Sequence, residues 1–458
     1  MSYLDGRSTL ERPFESIVRS LTVTIFMPRV LLLLPSTTYR AEAFLDAARA
    51  LNLDITVGLE RTAVLIDRPQ FEWLSLNFSE PERSANAVIE YTHTHPIHAV
   101  LGVDDATAVL AAQLAASLNL PHNSVESVSA ARNKYRMRSL LHEHGVPVPH
   151  FALCSIDDNP AALAETVSYP CVIKPLVLSA SCGVIRANDR TEFASAFHRV
   201  TALLHKLGTA KAGEAGRQLL VEDFVPGQEV ALEGLLMAGS LRVLALFDKP
   251  DPLDGPFFEE TIYVTPSRLS PAVQARIAAC AEQAAAALGL REGPIHTELR
   301  ANDEGVWVIE MAARSIGGRC SRALRFTGHL SLEELILRQA LRIDLPTVDY
   351  EGGAAGVMML PIPRGGVLRD VCGLEEARSV PGIEDVTITA EPGEILVPLP
   401  EGTRYLGFIV ARSAAPAEVE AALRQAHGRL TFSIDDSSKI QDRGTTGQSA
   451  CGVQSIRF

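Results

Sequence analysis

The sequence has no Cys-x-x-Cys pair, no stripe of lysine and arginine, no apolar run that could span a bilayer, and no Gly-x-Gly-x-x-Gly after its first predicted strand. Each absence excludes something. The seven cysteines (Cys154, Cys171, Cys182, Cys280, Cys320, Cys372, Cys451) are scattered, which leaves neither a zinc site nor a disulfide framework and reads as reduced thiols of a cytoplasmic protein. A net charge of −13 argues against a nucleic-acid partner, because phosphates must be neutralised by clustered cations. The apolar stretch Leu21–Pro35 is split by Pro28 and Arg29, and neither half approaches the length of a membrane span. Arg19 before that stretch is compatible with a signal peptide, but Val30–Leu34 fits better as a buried first strand, with residues 1–27 a poorly specified extension. Without the glycine fingerprint, a dinucleotide-binding dehydrogenase is excluded as well.

What is present is a long, mixed chain. At 458 residues, 47% of them apolar, it can form roughly two to four packed units. Val30–Leu34 leads into Pro35-Ser36-Thr37-Thr38 and a helical pattern with Phe44, Leu45, Ala48 and Leu51 on one face. A strand at Asp54–Leu59, a helix around Ala85–Tyr91, a strand at Ala99–Val103 and an Ala-rich helix capped by Asp104 or Asp105 follow. This alternation predicts a small parallel sheet covered by helices, a Rossmann-like unit over residues 28–126. From residue 127 to 345 the pattern is different. A helix carrying Lys134 leads through Gly145-Val-Pro-Val-Pro149 to a buried strand, Cys171–Lys174, and a loop of small residues, Leu178–Gly183. Leu219–Glu222 reads as a strand, Glu229–Met237 and Leu241–Phe247 as a hairpin, and Pro271–Leu288 as an amphipathic helix. Ile295–Leu299 and Val306–Met311 are two short strands joined by Asn302-Asp303-Glu304-Gly305, a strong turn signal. Residues 346–435 read as a small α+β module, with strands near Val357–Pro361, Leu406–Val410 and Leu430–Ile434 and a helix at Pro416–Ala426; residues 436–458 read as a loose polar tail.

The chemistry concentrates in the middle unit. Glu298 and Glu310 end two strands of one predicted hairpin, an arrangement that brings two hard oxygen donors to one face, as Mg²⁺ prefers. Ordinary surface acids on a solvated hairpin are the alternative. Arg314 follows, before the small-residue turn Ser315–Gly318; an arginine beside a metal-bound phosphate offsets charge on a transferring group. Lys174 ends a buried strand, where a lysine needs a partner and a phosphate would serve. Ser179–Gly183 has the small residues needed to fold backbone N–H groups over phosphate oxygens, though an ordinary turn would have them too. Glu222-Asp-Phe-Val-Pro-Gly-Gln-Glu229 is a strand end running into a Pro-Gly turn, able to offer backbone groups to a base and a carboxylate to a ribose.

In this order the elements resemble the ATP-grasp superfamily, and within it the L-amino-acid ligases, over residues 28 to 434. The resemblance rests on Arg132–Arg138, Val172–Pro175, Ser179–Gly183, Glu222–Glu229, Gly255–Thr261, His296–Glu298, Glu310–Gly318 and Tyr405–Val410. It implies an ATP-grasp fold, with an N-terminal Rossmann-like unit and a small C-terminal α+β domain. The activity implied is an ADP-forming carboxylate–amine ligase that uses ATP with Mg²⁺ or Mn²⁺ to join a small-molecule carboxylate and amine, with amino acids the expected substrates and a homodimer the expected assembly. By the same resemblance Lys134 and Lys174 contact the nucleotide phosphates, Ser179, Ser181 and Gly183 cover them, Glu222, Phe224 and Val225 form the adenine hinge, and Glu229 binds the ribose. Glu298 and Glu310 hold the metal and Arg314 steadies the acyl phosphate, while Glu260, His296 and Gly318 face the substrate. The alternatives are an ATP-grasp ligase with a different acceptor, carboxylase-like or of the purine-pathway type, and an ATP-binding protein without turnover. Two positions depart from the pattern. Ala312 stands where an asparagine is common, and Cys182 where a basic residue is expected beside the loop glycine.

Overall fold

A computed structural model describes residues 27–35, 38–60, 71–209 and 213–436. Residues 1–26 of the expected extension (1–27) and residues 437–458 of the expected tail (436–458), with Cys451, lie outside the described residues.

The first unit is a four-stranded parallel sheet in the order Glu72–Ser75, Asp54–Leu59, Arg29–Leu33, Ala99–Gly102. Its central strand, Arg-Val-Leu-Leu-Leu, is buried from Val30 onward. Burial on both faces explains why it reads as a continuous apolar run rather than an alternation. The helix Asp105–Ser117 begins where Asp104 caps it with Thr107, so its N-terminus and Asp105 sit at the strand ends that face the rest of the chain.

A second sheet, antiparallel and four-stranded, is built from Phe151–Ser155, Gln218–Asp223, Cys171–Pro175 and Ile185–Ala187. The helix Arg190–Leu207 covers it and buries Phe193, Phe197 and Val200. Between Cys171–Pro175 and Ile185–Ala187 runs the Leu178–Gly183 loop.

The largest element is an eight-stranded antiparallel sheet in the order Val306–Ala312, Gly293–Ala301, Gln228–Met237, Ser240–Asp248, Ile262–Thr265, Ala354–Leu360, Gly407–Ser413, Ile383–Ile388. Its last three strands come from residues beyond 346. The join is the short strand Ile262–Thr265, buried at every position, which pairs with Ala354–Leu360. The C-terminal residues therefore extend the middle unit's sheet and wall its face. The hairpin of Gln228–Met237 with Ser240–Asp248 turns at Ala238 and Gly239, both with positive φ, a geometry that matches strand twist in tight hairpins. Pro271–Ala287 starts on a Ser270 cap with proline in its first turn, and packs Ile277, Ala281 and Ala284 against the sheet's other face. Among the described residues no helix is long and apolar enough to cross a membrane.

Candidate active site

A cavity of about 830 Å³ lies where the three sheets meet. All of the expected site residues line it except Gly183, and they fall into three stretches along its length.

At one end the strand Gln218–Asp223 leaves the second sheet and enters the turn Phe224–Gly227. Gly227 has φ +125, and a Cβ there would come within 2.5 Å of the Ala301 carbonyl oxygen, so only glycine lets the turn lie against the neighbouring strand. Glu222 is expected here as part of a base-binding hinge. Its carboxylate, however, points into the protein, accepting from Arg138 Nε at 2.9 Å and Nη2 at 3.3 Å and pairing with Lys174. Burial alone would raise this carboxyl, but Arg138 and Lys174 outweigh it and hold it below the usual range. Lys174 thus has a protein partner already. Its ammonium is lowered by burial and by Arg138 despite Glu222. The Phe224 ring lies between two guanidinium groups, Arg186 at 4.1 Å and Arg300 at 4.9 Å. Arg300 also donates to the Val225 carbonyl at 2.8 Å and to Glu229 at 2.8 Å.

The middle stretch is cationic. Asn133 caps the helix Lys134–Glu143, and the buried Lys134 sends its Nζ to the Leu178 carbonyl at 2.7 Å and to Glu310 at 3.3 Å. Above it the small-residue loop has positive φ at Ala180, Ser181 and Gly183. Ser179, Ala180 and Ser181 face the cavity. The Gly183 N–H instead donates to the Pro400 carbonyl at 2.8 Å, so this expected loop donor is engaged by the C-terminal residues. Cys182 is buried beside the Glu401 carbonyl, outside the cavity wall, and burial with the Glu401 charge pushes its thiol up. Its burial, not phosphate contact, accounts for a small neutral residue there.

The far end is acidic. Glu298 and Glu310 are direct cross-strand partners, and both carboxylates reach the cavity. Ala312 is opposite His296 in the same ladder, lining the wall without a donor. Oxygens of Glu229, Glu260 and Glu298 lie within 4.8 Å of one another. At their centre is Lys249, whose Nζ is 2.9 Å from Glu229, 2.5 Å from Glu260 and 3.2 Å from Glu298. Burial and the Glu298 charge raise the Glu260 carboxyl to about 7 against the pull of Lys249. Glu298 goes the other way, held well below the usual range because Lys249 and His296 outweigh its burial. His296 stands between Glu233 at 3.5 Å and Glu298 at 3.6 Å; burial opposes its charge, and the two carboxylates raise it. Arg314 reaches across to Asp105 of the first unit at 2.8 Å. Gly318, with φ +59, donates its N–H to the Tyr39 hydroxyl oxygen at 2.6 Å.

The sequence reading missed several participants. Lys249 has a visible signal: Asp248-Lys249-Pro250 repeats the pattern of Ile173-Lys174-Pro175, a lysine at a strand end before proline. Arg138 and Arg300 could not be paired with Glu222 and Glu229 without the register. Arg40, buried in the first unit, donates to the carbonyls of Ser315 and Ile316 at 2.9 Å each, and Glu233 accepts from the Ile316 N–H at 3.0 Å. Together they fix the turn that follows Arg314.

The donor set at the far end suits a hard divalent cation. Its ligand atoms are carboxylate oxygens, and Glu298 and Glu310, partly exposed to the cavity and each beside a lysine (Lys249 and Lys134), are the pair that would hold it.

Comparison with known proteins agrees with this architecture. An ATP-grasp domain family matches residues 167–323, an ATP-grasp N-terminal domain residues 45–122, and L-amino acid ligase C-terminal domain 2 residues 358–435. The crystal structure of an L-amino acid ligase from Bacillus licheniformis superposes with a TM-score of 0.74 at 25% identity, covering 89% of this chain and 99% of that one. A protein of Sinorhizobium fredii designated y4rH is 24% identical over 420 residues, 91% of this chain and 85% of that protein. Alanine–anticapsin ligase from Bacillus subtilis is 27% identical over 234 residues, 48% of this chain and 49% of the ligase, so that match spans about half the relative's length.

Proposed function

We propose, from the premise that this chain is an ATP-grasp protein closed by the C-terminal domain of L-amino acid ligases, that it joins a carboxylic acid to an amine at the expense of ATP, forming ADP and phosphate. Amino acids are the proposed substrates, and a dipeptide or related amide the product. The observation that carries the reading is the lining of a single cavity: the turn Phe224–Val225, the lysines Lys134 and Lys174, and the cross-strand carboxylates Glu298 and Glu310 together with Arg314. The names of the relatives, an alanine–anticapsin ligase and an L-amino acid ligase, support the substrate class.

In this reading the turn Phe224–Val225 receives adenine, and Glu229 shares its oxygens between Arg300, Lys249 and a ribose. Glu222 acts from behind, keeping Lys174 and Arg138 in place. Lys134, Lys174 and the Ser179–Ser181 backbone hold the inner phosphates. Glu298 and Glu310 would hold Mg²⁺ or Mn²⁺, which supplies charge neutralisation at the transferred phosphate. The γ-phosphate is then the group exposed to a carboxylate. A carboxylate oxygen attacks phosphorus, the bond to the β–γ bridging oxygen breaks, and ADP leaves. The deprotonated amine next attacks the acyl carbon and phosphate departs. Arg314, anchored by Asp105, faces the charge that builds on the acyl phosphate and on the tetrahedral intermediate. Glu260 accepts the α-ammonium of one substrate. Enclosure by the loop over the phosphates keeps water from the acyl phosphate. Phosphate release from ATP across a matrix of amino-acid pairs tests the proposal: turnover that needs both partners supports it, and release indifferent to added amino acids contradicts it.

A further inference from the structure

An amino acid anchored at Glu260 must place its side chain somewhere, and the cavity wall beyond that carboxylate has a distinct composition. Tyr39 enters it from the first unit; Tyr405 and Phe408 enter from the C-terminal residues. The ring centroids of Tyr39 and Phe408 are 5.8 Å apart, and those of Tyr405 and Phe408 are 6.2 Å apart. Met359, Cys320 and Tyr263, all buried, complete the wall. Burial first, and the Glu260 charge second, push the Tyr263 and Tyr405 phenols and the Cys320 thiol above their usual ranges. The geometry agrees: Lys249, whose Nζ binds Glu260, lies 5.0 Å from the Tyr263 ring centroid, so this wall adjoins that carboxylate. Two charged side chains adjoin this stretch: Arg404 lines it and is paired with Glu394, and the Arg319 guanidinium lies over the Phe408 ring, 5.3 Å from its centroid.

The position of Glu260 also decides which substrate is held there. Its oxygen lies within 4.8 Å of a Glu298 oxygen. An α-amino acid carries its ammonium and its carboxylate on one carbon, so an ammonium on Glu260 puts that carboxylate at the end of the cavity where Glu298, Glu310 and Arg314 converge. It is the component that becomes phosphorylated, and its third substituent is left facing the rings.

We infer that the carboxylate component is an α-amino acid with an aromatic or large apolar side chain, seated against Tyr39, Tyr405 and Phe408. This rests on the ligase reading and on Glu260 as the ammonium anchor. Rings of this kind favour a flat or bulky apolar partner, through area and through offset or edge-on stacking.

Hydroxylamine trapping isolates this half of the reaction. With ATP, Mg²⁺ and a single L-amino acid, the carboxylate takes the γ-phosphoryl group and ADP leaves; the hydroxylamine nitrogen then attacks the acyl carbon and expels phosphate, giving a hydroxamate read as its ferric complex. Phenylalanine, leucine and methionine are expected to exceed alanine, aspartate and lysine in kcat/KM by about tenfold or more, the scale of added apolar contact in a pocket. Preference for small or charged amino acids, or none, overturns the inference while leaving the ligase reading intact. No hydroxamate from any amino acid overturns both. Tyr39 is half-exposed, so Tyr39→Ala threatens the fold little; it is expected to lower kcat/KM for phenylalanine about tenfold more than for alanine, with Tyr39→Phe retaining the preference. An equal loss for both substrates in Tyr39→Ala contradicts the assignment.

Discussion

Glu298 and Glu310 face each other across the antiparallel pair Gly293–Ala301 and Val306–Ala312, each the other's register partner, with a bulge immediately after Glu298. The pairing puts two carboxylates on one wall without help from any distant element. Replacing either by glutamine keeps the size and the hydrogen-bonding capacity but removes an anionic ligand. Glu298→Gln and Glu310→Gln are expected to fold normally and to lose on the order of a hundredfold or more in Mg²⁺-dependent turnover, the scale of losing one preorganised transition-state contact. Circular dichroism with steady-state rates across a Mg²⁺ titration checks this; near-native rates in both variants would remove the pair from the metal site.

Lys249 tests the stability of the same region. It holds Glu229, Glu260 and Glu298 together while almost fully buried. Lys249→Met strands three carboxylates, and removing the shared partner of a buried ion pair costs about 3–5 kcal/mol. The pH dependence has a definite sign. In the intact protein the Glu260 carboxyl is raised from 4.5 to about 7, so the folded state holds a proton that the unfolded chain releases. That contribution is full below pH 4.5 and is lost as pH rises through 7. Without Lys249 the loss steepens, so the variant's melting temperature should fall furthest below wild type at neutral and alkaline pH and recover on mild acidification. A deficit constant with pH would contradict this.

Glu222 is expected to matter to folding before it matters to nucleotide. Glu222→Ala leaves Arg138 and Lys174 buried without an anion, with a loss of about 3–5 kcal/mol. Urea unfolding measures it. A change below about 1 kcal/mol, the scale of an exposed pair, would show that the two cations find other partners.

Glu260→Ala leaves Lys249 its contacts with Glu229 and Glu298, so the fold should survive. The variant loses a charged hydrogen-bond acceptor for the substrate ammonium. The KM for the amino acid is expected to rise roughly ten- to a hundredfold, with that for ATP little changed. An unchanged amino-acid KM takes Glu260 out of the substrate site.

Much of this was legible in the sequence because it is local. The buried strand before Lys174, the hairpin carrying Glu298 and Glu310, and the helix after Ser270 all follow from period, caps and turn residues within a short window. What was not legible depends on register between distant segments. The strand Ile262–Thr265 is only four residues long, too short to announce that the sheet runs on into the C-terminal residues. Glu222 and Glu229 were visible as candidates, but their partners Arg138, Lys249 and Arg300 are 84, 20 and 71 positions away, and only the assembled sheets bring them together. Gly183 illustrates the same limit, since the Pro400 carbonyl that takes its N–H belongs to a loop that no local pattern connects to it.

The central claim is that the nucleotide is held with its γ-phosphate toward the acidic end, where Glu298, Glu310 and Arg314 meet. Chromatography of the spent nucleotide tests this most directly. The account predicts ADP and inorganic phosphate in equal amounts, formed at an appreciable rate only when both a carboxylate and an amine are supplied. AMP and pyrophosphate as the main products would mean that the α-phosphate is the group attacked, and would contradict the mechanism even with the fold unchanged.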